Sequence, residues 1–105
     1  YAKDEIQHGL EYDLNLGSWA MPTTTAIEMN ATVTDTLSGG YLSLYTYGGS
    51  NPGTSSLNWV TGQTVANAAY VTANQSNGWI ALYNGSGASA DVVLDVAGFF
   101  QNSTL

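Results

Sequence analysis

The chain has 105 residues, eight carboxylates against a single lysine (Lys3), no arginine and no cysteine, and a net charge of −7. Without basic residues there is nothing to neutralise phosphates, so nucleic acid and anionic membranes are excluded as partners. Without cysteine there are no disulfides, thiolate metal sites or thiol nucleophiles. A hydrophobic content of 44% is ordinary for a folded domain of this length. No apolar run approaches the ~20 residues that span a bilayer, so membrane insertion is not expected. Residue 1 is Tyr rather than Met, and the expectation is a processed, excised or trimmed chain.

Residues 1–9 hold Lys3, the only histidine (His8) and two acids, and are expected to form an arm or an extra strand. From Leu10 the pattern has a period of two. Leu10, Tyr12, Leu14 and Leu16 alternate with Glu11, Asp13 and Asn15, as in a half-buried strand. Gly17, Ser18 and Pro22 interrupt it. Ile27, Met29, Ala31 and Val33 then alternate with Glu28, Asn30, Thr32 and Thr34. After Gly39-Gly40, Leu42, Leu44 and Thr46 oppose Tyr41, Ser43, Tyr45 and Tyr47. The stretch 48–55 reads as a loop. Short strands are expected over 56–60 and 68–73, separated by Thr61-Gly62-Gln63.

Two β-rich runs close the chain, 78–83 and 90–100, around Asn84-Gly85-Ser86-Gly87. This is the strongest hairpin signal in the sequence. Ile80 and Leu82 share one face of the first run, with Trp79, Ala81 and Tyr83 on the other. Val92, Leu94 and Val96 oppose Asp91, Val93 and Asp95 in the second. Seven or eight short strands, turns every ten or so residues and no helical pattern predict an all-β fold. The expected architecture is a single antiparallel β-sandwich over 10–101, with 102–105 as a C-terminal tail.

Several motifs stand in a telling order: Ile27-Glu-Met-Asn-Ala-Thr-Val-Thr, Gly40-Tyr-Leu-Ser-Leu-Tyr, Ser56-Leu-Asn-Trp, Gly62-Gln-Thr-Val-Ala-Asn, Ile80-Ala-Leu-Tyr-Asn-Gly-Ser-Gly and Asp95-Val-Ala-Gly-Phe-Phe. Together they resemble a β-sandwich module of secreted and surface proteins of actinobacteria that closes on Asp-Val-x-Gly-Tyr-Phe. The resemblance covers about residues 10 to 101 and departs at the first strand, where the family has an Arg-Leu-Leu-Asp-Thr-Arg-like segment. It implies a non-catalytic accessory or adhesive unit, with no catalytic residues to carry over.

The residues themselves also argue against an enzyme. His8 is the only imidazole base and lies in a terminal segment. Asp91 and Asp95 share a strand face about 13 Å apart, too wide for a glycosidase pair. No cofactor is expected. Calcium could be held by Asp35, Asp91 and Asp95 only if strands bring them together. The aromatic residues carry more. Tyr41, Tyr45 and Tyr47 share one strand face, Trp79 and Tyr83 another, with Trp19 in a loop and Trp59 in a short strand. These rings fit three roles: stacking on sugar, stabilising a sheet by cross-strand pairs, or packing against another subunit.

Two functions follow from different classes. The preferred one is an extracellular or cell-surface structural or adhesive protein that associates with itself or with a neighbouring surface protein, through its sheet edge and aromatic face. In that case residues 1–9 could add a strand to a neighbour. The other is a carbohydrate-binding accessory module of a secreted hydrolase, with polysaccharide as partner. Asn-x-Ser/Thr triplets at Asn30, Asn74, Asn84 and Asn102 are acceptors only in a host that glycosylates.

Overall fold

A computed structural model describes residues 4–7, 9–16, 24–50, 53, 55–74 and 76–101. They form eight strands: β1 (Asp4–Ile6), β2 (Glu11–Asn15), β3 (Thr24–Thr34), β4 (Gly40–Thr46), β5 (Leu57–Trp59), β6 (Val65–Val71), β7 (Trp79–Asn84) and β8 (Ala90–Gln101). No helix occurs among the described residues. One sheet has the order β1-β8-β3-β6 and the other β2-β7-β4-β5, with every pairing antiparallel. The all-β sandwich expected from the sequence is the observed architecture.

Its connectivity is more specific than the sequence pattern could say. β1 pairs with β8, β2 with β7, β3 with β6 and β4 with β5. The chain is thus one long antiparallel ribbon, bent at the β4–β5 connection and rolled into two layers, which is the jelly-roll topology. Only β4 and β5 are neighbours both in sequence and in a sheet.

The predicted hairpin over 78–100 is therefore corrected. β7 and β8 lie in opposite sheets, and the Gly/Ser stretch between them carries the chain across the sandwich. Asn84 shapes that crossing from a fully buried position. Its amide donates to the Ala88 carbonyl (3.1 Å), while its Oδ1 accepts from the Ser86 N–H (3.0 Å) and hydroxyl (2.7 Å). Gly85 sits where any Cβ would overlap the Tyr41 ring, so this turn has no room for a side chain. A period of two cannot separate the alternatives, because hairpin and crossing bury the same Ile80, Leu82, Val92 and Leu94 faces.

The core lies between the layers. Ile27, Met29, Ala31 and Val33 of β3 and Val92 and Leu94 of β8 come from one sheet; Leu42, Leu44, Ile80, Leu82, Leu57 and Trp59 come from the other. A fully buried side chain of this size contributes about 1.5–3 kcal/mol, so this interlayer packing is the main source of stability. Leu16 closes the core, and Tyr12 and Leu14 pack on its margin. Leu10, expected inside, is exposed just before β2.

Candidate functional site

The outer face of the β2-β7-β4-β5 sheet gathers most of the aromatic residues singled out above. Register places Trp79 opposite Asn15, Ala81 opposite Asp13 and Tyr45, and Tyr83 opposite Glu11 and Ser43. Tyr41 pairs with Tyr83 (centroids 6.3 Å, 42° between planes) and Tyr47 with Trp79 (5.2 Å, 55°). These are the tilted geometries that aromatic quadrupoles favour. Ala81, between Tyr45 and β2, is small enough for Tyr45 to lie across β7 and donate its hydroxyl to Glu11 Oε1 at 2.5 Å. Tyr45 is only 8% exposed as a result, and Ser43 and Ala81 are covered.

Two of the aromatic candidates are thereby removed as stacking platforms. Tyr45 is roofed by its neighbours. Trp59, 5% exposed, points into the core and donates its indole N–H to the Ser38 carbonyl at 2.8 Å. Tyr41, Tyr47, Trp79 and Tyr83 are half-buried in pairs whose planes are tilted apart. Within each pair the planes are tilted by 42° and 55°, so neither pair presents a single flat surface. Trp19 and His8 lie outside the described residues.

The acids on this face are unequal. The Tyr45 hydroxyl and then a hydrogen bond with Asp13 hold Glu11 below the usual carboxylate range, against a smaller opposing effect of desolvation. Asp13 is raised, first by that hydrogen bond to Glu11, then by desolvation and by the neighbouring charge. Burial, followed by the bond to Glu11, pushes the Tyr45 hydroxyl well above its ordinary value. Of the calcium candidates, Asp35 is exposed in the β3–β4 turn at φ 54°, Asp91 lies opposite Glu5 and Thr34, and Asp95 is exposed opposite Asn30. Among the described residues no group of three or more His, Asp or Glu gathers. Asn84 is buried and Asn74 holds the Tyr47 carbonyl through its amide, so of the glycosylation triplets only Asn30 is exposed within the described residues.

A second surface, on the other sheet, escaped the sequence pattern. Val96 pairs with Met29 but Gly98 with Glu28, so Ala97 is an extra residue in β8. Such a bulge reverses the alternation beyond it. Phe99 takes the register opposite buried Ile27, and Phe100 emerges on the outer face, 54% exposed. There it meets Tyr70 of β6 (6.2 Å between centroids), itself 61% exposed, with Ala26 as the residue opposite Phe100 on the intervening strand. The Tyr70 hydroxyl donates to Glu28 Oε2 at 3.2 Å and is raised by that bond. The sequence signal was Ala97-Gly98 inside a strand, a common mark of a bulge.

The four sheet edges differ. β1 and β5 have three residues each, and β2 carries Glu11 and Asp13. β6 runs for seven residues, Val-Ala-Asn-Ala-Ala-Tyr-Val, without a charge, Pro or Gly. It pairs with β3 on one side, and no strand pairs with its other side among the described residues. The first segment, a possible donor to a neighbour, is placed at the opposite edge: Asp4–Ile6 pairs with Ala90–Val92 of its own chain. No family model, curated protein or solved structure matches this chain.

Proposed function

We propose that this chain is a non-catalytic structural or adhesive module of the extracellular or cell surface, working by association through a sheet edge and an aromatic patch. The observation that carries this is the uncharged β6 edge, which no strand pairs among the described residues, beside the exposed Tyr70–Phe100 pair. Natural sheets usually shorten, charge or cover their edges, because unpaired N–H and C=O groups recruit another strand. Here two edges are short and one is acidic, while β6 is neither, and no strand covers it among the described residues. A surface rich in Thr, Ser, Asn and Tyr but nearly free of Lys and Arg suits an extracellular setting, and the resemblance to accessory modules points the same way. The jelly roll alone does not choose among the many functions it hosts.

Light scattering over a concentration series tests the proposal. A mass that grows with concentration is expected. A constant monomer mass overturns it, and binding of that monomer on a glycan array would identify a carbohydrate module instead.

A further inference from the structure

We infer that the partner of the β6 edge is β6 of a second copy, paired antiparallel about a two-fold axis through Ala68; this rests on the association proposed above and names its partner and register. An open strand edge specifies its occupant chemically, since only another extended backbone satisfies a row of alternating N–H and C=O groups. The sequence of the edge admits a second copy, since it brings no charge, Pro or Gly into the pairing. Centred on Ala68, Val65 faces Val71, Ala66 faces Tyr70 and Asn67 faces Ala69, so all seven residues of the strand are paired. Moving the centre to Asn67 or Ala69 leaves residues at one end unpaired.

The faces agree as well. Ala66, Ala68 and Tyr70 are exposed on the outer face, while Ala69 and Val71 turn to the core and Val65 packs on its margin. In the two-fold register each residue meets one of its own face. Each Tyr70 ring lies beside the small Ala66 of the other copy, and Val65 meets Val71 at the core margin. Charge agrees too. Two chains of −7 repel each other, and β6 is the one long edge that brings no carboxylate into line with its mate. Two four-stranded sheets would become one continuous sheet of eight, an isologous contact that closes as a dimer. Edge pairing buries little surface, so the dimer is expected to be weak, with Kd on the order of 100 µM.

The absence of native cysteine makes the test clean. Single variants A68C and A66C are mildly oxidised at millimolar concentration, and the wild-type mass is measured in parallel. Residues directly opposite in an antiparallel pair have Cα atoms about 4.5–5.5 Å apart, within disulfide reach. The A68C thiol should therefore cross-link to its mate, and the A66C thiol, facing Tyr70, should not. A68E, which sets two carboxylates face to face on an exposed position, should raise the dimer Kd about tenfold with its melting temperature little changed. Association without preferential cross-linking of A68C, or unaffected by A68E, overturns the β6 register and leaves the association itself standing. A monomeric wild-type chain at millimolar concentration overturns both.

Discussion

Tyr45 and Glu11 are joined across a strand that belongs to neither of them: the hydroxyl on β4 reaches the carboxylate on β2 over Ala81 of β7. This single contact ties three strands of one sheet together. It also leaves the middle tyrosine of the predicted row of Tyr41, Tyr45 and Tyr47 buried.

Tyr45→Phe keeps the ring and deletes the bond. Glu11 is exposed and regains water, so the loss should be modest, about 1 kcal/mol, or about 4–8 °C in Tm. The Glu11 carboxyl, followed by NMR, should move back up toward the usual carboxylate range. An unchanged Glu11 titration would mean that the hydroxyl does not stabilise its charge.

Asp13 makes this face pH-sensitive. Glu11 is lowered in the folded chain, so its contribution is present above its unfolded pKa and lost as pH falls through the folded one. Asp13 is raised, so its contribution has the opposite sense: present below its unfolded pKa, lost as pH rises through the folded one. Asp13→Asn is neutral at every pH and can still donate to Glu11. It should stabilise the chain at pH 7 by about 0.5 kcal/mol, a size typical of exposed charge pairs. That gain should fade at an acidic pH, where the raised Asp13 carboxyl itself becomes protonated. Thermal melts of both proteins at the two pH values decide this, and a gain independent of pH would sink it.

Trp59→Phe should cost about 2–3 kcal/mol in urea unfolding, because it leaves a cavity and strands the Ser38 carbonyl. Were Trp59 a sugar-stacking residue, the same substitution would leave stability nearly intact.

Association between chains of −7 should tighten with salt. Raising ionic strength from 0.1 to 1 M shortens the Debye length from about 10 to about 3 Å, and the Kd measured by light scattering should fall about tenfold. Lowering the pH toward the isoelectric point of about 4.1 should act in the same direction. Weakening by salt would instead indicate ionic contacts between copies.

The alternation of Ile27, Met29, Ala31 and Val33, and of Leu42 and Leu44, was enough to read both the strands and their buried faces. It could not assign strands to sheets. Asn84-Gly85-Ser86-Gly87 has the composition of a tight turn, and only the buried Asn84 side chain and the Tyr41 ring over Gly85 reveal a crossing. The aromatic row was legible as a row but not as a roof, because Tyr45 is covered through its neighbours and through Ala81. Phe100 was hidden for another reason: one extra residue, Ala97, turns it from the face that strict alternation predicts.

The rolled ribbon also orders the molecule in time. Leu42 meets Leu57 in the innermost pairing; Val33 with Val65, Asn15 with Trp79 and Ile6 with Ala90 each enclose the pair before. Each later pairing closes at higher chain-entropy cost unless the inner ones are already formed. The outermost, β1 on β8, is also among the shortest, with three residue pairs. It should be the first to open, its amides exchanging with solvent while those of β3, held on both sides, exchange only on global unfolding. Each such opening bares the flank of β8, giving the folded chain an edge that exists only for the moments β1 is away.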